Sequence, residues 1–209
     1  MNIHLMADSN IQSIGFFIDG GYYAEIDKGL LPENRRLHLR GLIKYVQQSI
    51  AAHFGLDPDR CLVTESHFYR GRFRAADAKR AGRLESDRNF EDRLIENDVV
   101  FHYKHIYDLG GGTIKEKGID VWFALETYEL AMYRDFDFVV LVTGDADHEM
   151  LARKIKALKK HVVLLTWNFG EHDSTSPALK EEVTCHIDLR KVTADYPDLK
   201  QHICQATSR

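Results

Sequence analysis

The chain has 209 residues, 44% of them hydrophobic and 29% charged, with a formal net charge of −4. These values favour one globular domain, and no apolar run approaches the roughly 20 residues of a membrane-spanning helix. The N-terminal stretch MNIHLMADSNIQS has no basic start followed by an apolar core, so we expect a cytoplasmic protein without a signal peptide. The cysteines are few and widely spaced, which argues against a disulfide framework or a zinc cluster.

The first half of the chain alternates strand-like and helical segments. Residues 1–13 are polar and aperiodic, which predicts a loose N-terminal tail. Residues 14–18 form an apolar, strand-like run that ends in Asp19 followed by two glycines. The apolar residues of 39–54 recur at helical spacing, and the pattern at 61–69 predicts a second strand. Asp19 is therefore expected at the end of a buried strand.

A basic stretch follows the second strand. Between residues 70 and 93 there are eight basic and five acidic side chains. Three arginines alternate with other residues at its start: Arg70, Arg72 and Arg74. They suit a loop that contacts phosphates, with Phe73 available to stack on a base, and a solvated helix face is the alternative. Such a patch matters because the negative net charge by itself argues against a nucleic-acid partner.

A third strand is predicted at 99–107, and a helix is predicted to begin near Asp120. Four apolar residues of this helix recur at i, i+4, i+7 and i+11, as on a face that packs against a core: Val121, Leu125, Tyr128 and Met132. Glu126 lies about 120° around the helix from Asp120. Its carboxylate is expected either to face solvent or to border the same cleft as Asp120.

The stretch FVVLVTGDADHEML at 138–151 contains the clearest functional signal. Residues 138–142 are continuously apolar and rich in β-branched side chains, which is typical of a buried parallel strand. Asp145 and Asp147 follow where a helix begins, and Asp147 is expected to cap that helix. Open α/β folds place their chemistry at this edge of the sheet. The alternative is that both acids only bind amides of the turn and the helix start.

The rest of the chain continues the alternation. A strand is predicted at 161–167, a short helix at 177–183 and a last strand at 186–189, followed by a C-terminal tail at 191–209. Strands that alternate with helices predict a single α/β domain over residues 14–190. We expect a parallel sheet, right-handed crossovers and helices on both faces.

Four carboxylates are predicted to converge on one edge of this sheet: those of Asp19, Asp120, Asp145 and Asp147. Two ionised carboxylates ~5 Å apart repel each other by roughly 3 kcal/mol at an effective dielectric constant of about 20. A cation would offset this repulsion. Hard oxygen ligands without histidine or cysteine favour Mg²⁺ or Mn²⁺, and the natural use of such a site is metal-assisted hydrolysis of a phosphodiester.

Several stretches resemble the NYN domain, a PIN-like branch of the metal-dependent ribonucleases, and in particular its LabA-like bacterial members. The resemblance rests on FIDGGY at 17–22, KGIDVWFALET at 117–127, FDFVVLVTGDADHEML at 136–151 and SPALKEEVTCHIDL at 176–189. It implies a Rossmann-like, PIN-like fold with strand order 3-2-1-4-5 and RNA as the substrate. It also implies one or two Mg²⁺ or Mn²⁺ ions bound by a catalytic pocket of Asp19, Asp120, Asp145 and Asp147.

Some positions depart from the family pattern. Asparagine, aspartate, serine and phenylalanine are common in the family where this chain has Tyr22, Glu126, Thr143 and His148. Glutamate and threonine keep the chemistry of their positions, whereas tyrosine and histidine change the size and the hydrogen bonding. These four residues and Gly144 are expected to surround the metal-binding aspartates.

The sequence therefore predicts an endoribonuclease that depends on Mg²⁺ or Mn²⁺ and has RNA as its partner. It leaves open whether the chain forms a homodimer. A PIN-like fold also serves non-catalytic RNA- or nucleotide-binding regulatory modules, which is the alternative function. A haloacid-dehalogenase-like phosphatase fits poorly, because it needs a second aspartate two residues after the first, whereas Asp19 is followed by Gly20 and Gly21.

Overall fold

The computed structural model describes residues 11–108, 114–115, 118–169 and 175–206. Residues 1–10, most of the expected N-terminal tail, lie outside the described residues, whereas Gln12 and Ser13 already belong to the first strand. Within the described ranges no helix has both the length and the apolar character needed to cross a membrane.

The centre of the fold is a mainly parallel sheet. The strands are β1 (Gln12–Asp19), β2 (Arg35–Leu37), β3 (Cys61–Phe73), β4 (Val99–Asp108), β5 (Ile114–Lys115), β6 (Phe138–Val142), β7 (His161–Thr166), β8 (Cys185–Asp188) and β9 (Cys204–Ala206). The main sheet has the order β5-β4-β3-β1-β6-β7-β8, and β5 alone is antiparallel to its neighbour. The predicted α/β class is confirmed. The order expected for five strands corresponds to β4-β3-β1-β6-β7, and β8 extends it by one further parallel strand.

Helices cover both faces of the sheet. They are α1 (Gly20–Leu30), α2 (Leu39–Phe54), α3 (Ala75–Arg80), α4 (Leu84–Ile95), α5 (Ile119–Tyr133), α6 (Glu149–Ala157), α7 (Pro177–Glu181), α8 (Leu189–Asp195) and α9 (Pro197–Ile203). Successive residues of a strand point to opposite faces, so β1 contributes to two cores. Phe16 and Ile18 pack in the cluster that contains Leu42 of α2, whereas Phe17 packs in the cluster that contains Phe123 of α5.

Helix α5 is apolar on two faces. The residues that it buries are Ile119, Phe123, Thr127 and Ala131. The stripe that the sequence predicts as a core face lies elsewhere, since Val121 and Leu125 are 62% and 65% exposed. That prediction is wrong because a helix that is apolar all round gives no periodic signal for the face that meets the core.

The chain remains folded beyond residue 190. Helices α8 and α9 pack on each other, and β9 pairs with β2 in a small antiparallel sheet. Ile203 and Cys204 are buried in the same core as the apolar face of α2. A side chain at Gly41 of α2 would overlap the backbone of His202. Residues 191–206, expected as most of a C-terminal tail, therefore complete one face of the domain.

Candidate active site

Strands β1 and β6 end side by side at the centre of the sheet. Ile18 pairs with Val142, so Asp19 and Thr143 are the next residues along the two strands. Gly20 then begins α1 close against β3, because an added Cβ would lie 2.5 Å from a carbonyl oxygen of that strand. Glycine at this position lets the chain turn from strand to helix directly at the edge of the sheet.

Asp19 caps α1 and is partly buried. One carboxylate oxygen accepts hydrogen bonds from the backbone N–H groups of Gly21 (2.9 Å) and Tyr22 (3.3 Å). Burial raises the pKa of the Asp19 carboxyl, although these hydrogen bonds and the interaction with His148 oppose the rise. The negative charge of Asp120, in the first turn of α5, raises this pKa further. The two carboxylates are therefore close enough to influence each other.

The buried hydroxyl of Thr143 connects Asp19 to the turn after β6. It lies 3.5 Å from Oδ2 of Asp19 and 2.9 Å from Nδ1 of His148. It also accepts a hydrogen bond from the backbone N–H of Asp145 at 3.3 Å. A hydroxyl donates once and accepts twice. If it donates to Asp19, the imidazole of His148 must donate from Nδ1, and its buried Nε2 has no hydrogen-bond partner among the described residues.

Asp145 and Asp147 lie in the exposed turn that leads into α6. Asp145 caps this turn, since its carboxylate accepts a hydrogen bond from the N–H of Asp147 at 3.0 Å. The prediction that Asp147 caps the helix is wrong, because a 3₁₀ turn at 146–148 separates β6 from α6. The turn-capping alternative, made for Asp145 and Asp147, describes Asp145 only. Asp19 caps its own helix in the same way, and each of these two carboxylates uses one of its oxygens for the cap.

The aspartates do not form a closed cage. Across the parts of the chain that the structure describes, no group of three or more His, Cys, Asp or Glu side chains is placed to hold a metal ion. Mg²⁺ does not need such a cage, because it usually keeps several waters and binds one or two carboxylates together with substrate phosphates. Carboxylate oxygens at a partly desolvated edge, with Asp19 and Asp120 repelling each other, fit a hydrated hard cation better than zinc.

Tyr22 connects the ends of three elements around this site. Its hydroxyl accepts a hydrogen bond from the N–H of Trp167 at 2.8 Å and donates to the carbonyl oxygen of the same residue at 3.1 Å. Its ring lies against Gly144, where an added Cβ would be 2.7 Å from a ring carbon. The tyrosine that departs from the family pattern thus joins α1 to the residues after β6 and β7, and Gly144 must remain glycine to accommodate it.

Glu126 belongs to a different set of contacts. Its carboxylate lies 3.4 Å from Nδ1 of His102. Nε2 of His102 lies 3.1 Å from Nδ1 of His67, and Nε2 of His67 lies 3.3 Å from Glu65. We call these four residues the histidine network. Arg134 completes it with a 2.8 Å ion pair to Glu65. Glu126 is partly buried, and the contact of its carboxylate with a histidine of β4 was in neither expectation for this residue.

The histidine network is packed between aromatic rings. Phe17 stacks on His67 with ring centroids 5.1 Å apart, and Tyr69 stacks on His102 at 4.4 Å. Burial lowers the pKa of both imidazoles, so both are neutral near pH 7. Sequence reasoning missed this network because only the pairing of β3 with β4 brings the two histidines together, and no local motif marks either of them.

Two of the three arginines expected in a phosphate-contacting loop lie inside a strand. Arg70 and Arg72 belong to β3 and, two residues apart, lie on the same face. Arg74 follows at the start of α3. Arg72 forms a 2.7 Å ion pair with Glu91 of α4, so its charge is partly neutralised. The strand is longer than predicted because its pairing with β4 continues to Phe73.

The aromatic residue expected to stack on a base is not available for that contact. Phe73 is only 7% exposed and packs with Ala78 and Ile106. The aromatic rings that face the arginines are those of Phe90 and Tyr103. The alternation of arginines in the sequence placed Arg70 and Arg72 on one face of the strand, but it could not identify ring partners from α4 and β4.

Comparison with known proteins supports the motif-based resemblance. A family model described as "NYN domain" matches residues 13–190, a range that contains all four aspartates of the candidate site. No curated protein and no solved structure gives a significant match. Because the matched range covers most of the 209 residues, the chain belongs to the NYN domain family, within the PIN-like nuclease superfamily.

Proposed function

We propose that this protein is a metal-dependent endoribonuclease that hydrolyses RNA phosphodiesters at the edge where β1 and β6 end. The observation that carries the proposal is the connection between two neighbouring strand ends. Asp19 and the turn that contains Asp145 are joined through the buried hydroxyl of Thr143. Each of these carboxylates keeps an oxygen that its own turn does not use. Membership of a nuclease superfamily supports this assignment.

The residues that would hold Mg²⁺ or Mn²⁺, together with water and a phosphate oxygen of the RNA, are Asp19, Asp120, Asp145 and Asp147. When bound, the ion would supply Lewis acidity toward the attacking water and the scissile phosphate. Thr143 would orient one oxygen of Asp19 by donating its hydroxyl to it, with Nδ1–H of His148 donating to that hydroxyl. Arg70 and Arg74 would contact the RNA next to this edge, Arg74 at a phosphate.

A non-catalytic RNA-binding module is the second candidate function. The open arrangement of the aspartates favours it, since among the described residues no three carboxylates are placed as ligands of one ion. Such a module would bind RNA through the arginine face of β3 and leave it intact. The two candidates therefore differ in chelator-sensitive cleavage, and not in RNA binding.

The substitution Asp145→Asn separates the two candidates. Asparagine retains an oxygen that can accept the N–H of Asp147, so the cap and the melting temperature should be preserved. The lost charge should lower cleavage of single-stranded and hairpin RNAs in Mn²⁺ by at least roughly 10- to 100-fold, the range for losing a residue that only supports a metal ligand.

Asp57→Asn is a matched control, because Asp57 accepts a hydrogen bond from the N–H of Asp59 with the same 3.0 Å geometry, before β3 at the opposite end of the strands. Its cleavage rate should equal that of the parent. Cleavage that persists in chelator, or equal cleavage by the parent and Asp145→Asn, would contradict the nuclease. RNA binding without any cleavage would favour the second candidate.

A further inference from the structure

A cavity lies beside the turn that contains Asp19, between α1, α4 and the ends of β3 and β4. Its volume is about 270 Å³, slightly below the roughly 300–1,000 Å³ of sites for drug-sized ligands. Gly21, whose N–H binds the carboxylate of Asp19, forms part of its wall. The cavity therefore adjoins the proposed catalytic edge and has room for one base or nucleoside.

The walls of the cavity combine aromatic rings with guanidinium groups. Phe90 and Tyr103 both line it. The guanidinium of Arg70 lies 5.7 Å from the ring centroid of Phe90, and that of Arg72 lies 5.0 Å from the ring centroid of Tyr103. Arg72 is held in this position by Glu91. Unstacked RNA bases are bound by stacking on aromatic rings and on guanidinium planes, so these walls suit a base.

The polar groups of the cavity favour one base over the others. Arg70 and Asp87 both line it, and within the described part of the chain neither forms an ion pair. Arg70 is, however, within electrostatic reach of Asp27. The cavity thus offers hydrogen-bond donors from one residue and acceptors from another. Guanine matches both with two atoms for each residue, because it presents acceptors at O6 and N7 and donors at N1 and N2, whereas uracil offers one acceptor and one donor there (O4 and N3–H) and cytosine a single donor group at N4. Adenine places an amino group where guanine has O6, and so opposes the arginine.

We propose that this cavity binds one unstacked guanine of the RNA, so that the protein cleaves preferentially next to guanine. The guanine would stack against the exposed ring of Tyr103, with Arg70 on its O6 and N7 edge and Asp87 on its N1 and N2 edge. Strand β3 neighbours β1 at a spacing of about 4.8 Å, so the phosphate of the same nucleotide can reach the edge at Asp19. The inference rests on the proposed function for its substrate, and it adds the base preference.

The test measures binding in chelator, where no metal-dependent cleavage occurs. Fluorescence anisotropy is recorded for labelled hexauridylates that contain one central guanine, adenine or cytosine, or none. The parent should bind the guanine oligonucleotide about tenfold or more tightly than the others, as one good bidentate contact provides. Asp87→Asn and Arg70→Gln should remove most of this preference. Tyr103→Leu, at a side chain that is 41% exposed, should weaken binding of all four oligonucleotides.

Matched controls are Asp92→Asn and Arg88→Gln, exposed residues of α4 outside the cavity lining, which should keep the preference. Equal affinity for all four oligonucleotides, or a preference unchanged by Asp87→Asn in a variant with the parental melting temperature, overturns the guanine site. Cleavage without base preference would support the nuclease and contradict the guanine site. Guanine-selective binding without cleavage would support the guanine site and contradict the nuclease.

Discussion

Two regions of this protein use ionisable side chains in opposite ways. In the first, which we call the acidic edge, lie Asp19, Asp120, Asp145 and Asp147. Its capping carboxylates bind N–H groups of their own turns with one oxygen each. In the histidine network, carboxylates and imidazoles from β3, β4 and α5 bind one another. A carboxylate that caps its own turn keeps an oxygen for a ligand, whereas the carboxylates and imidazoles of the histidine network are already paired with one another.

The histidine network has one proton fewer than its contacts require. Each neutral imidazole carries a single N–H, whereas three contacts join the two rings to each other and to the carboxylates of Glu65 and Glu126. One carboxylate therefore faces a ring nitrogen without a proton, and an additional proton would enter at that contact. At the acidic edge, Asp19 and the turn of Asp145 are joined only through the hydroxyl of Thr143 among the described residues.

Breaking the network should have the largest effect on stability. His67→Leu leaves Nε2 of His102 and the carboxylate of Glu65 without the imidazole nitrogen that each contacts. We expect the free energy of unfolding to fall by about 2–3 kcal/mol, as for buried polar groups that lose their partners. Cleavage per folded molecule should be unchanged, since in the described part of the chain no hydrogen bond or ion pair of the network involves an aspartate of the acidic edge. Chemical denaturation measures the first quantity, and an RNA cleavage assay measures the second.

His105→Leu provides the control, because His105 belongs to the same strand as His102 and is exposed. Its unfolding free energy should stay within about 0.5 kcal/mol of the parent value. A His67→Leu protein that is as stable as this control would show that the network is not a structural element.

Thr143→Val tests the contribution of one hydroxyl to the acidic edge. The substitution keeps the shape but removes the hydroxyl that contacts Asp19, His148 and the N–H of Asp145. We expect a loss of about 1–2 kcal/mol of unfolding free energy and a marked fall in RNA cleavage. Thr143→Ser retains the hydroxyl, so both quantities should stay close to the parent values. If valine and serine variants cleave equally well, the hydroxyl does not position Asp19.

A pH titration should give the smallest effect. Burial lowers the pKa of His67 and His102 below the ordinary value of 6.5. The charged groups that face them are Glu65, Glu126 and Arg134. Below about pH 6.5 these two histidines bind protons in the unfolded chain but remain neutral in the folded protein. Stability that is fully present above this pH is therefore lost as the pH falls through the folded-state pKa values.

The measurement is the melting temperature between about pH 7.5 and pH 5.5. The parent should lose a few degrees over this range, and His102→Gln should lose less, because one titrating group is gone. His105→Gln should behave like the parent. A parent curve and a His102→Gln curve of identical slope would mean that the network does not titrate in this window.

The fold could be predicted from the sequence wherever a segment had one clear pattern of apolar residues. The continuously apolar run at 138–142 forms a strand with the predicted bounds, and the periodic segment at 39–54 forms a helix with the predicted bounds. Helix α5 shows the limit of this reasoning. Its existence was predictable, but the face that it buries was not, because apolar residues surround the helix and only contact with the sheet selects Phe123 over Leu125.

The acidic edge was predictable because each aspartate follows a strand or begins a helix that the sequence marks. Strand ends that meet at one edge follow from a parallel sheet. The guanidinium partners and the histidine network were not predictable. Glu91 and Phe90 come from a helix that packs over β3, and His67 meets His102 only through strand pairing. Such contacts depend on packing between elements distant in the sequence.

The pairing of β2 with β9 gives the domain a boundary that differs from that of its family. The family match ends at residue 190, but a fragment cut there would lack Ile203 and Cys204 from the core and would leave β2 without its partner. An uncovered apolar helix face and an unpaired strand both promote aggregation. The packed unit of this protein is thus longer than the region that matches the family model.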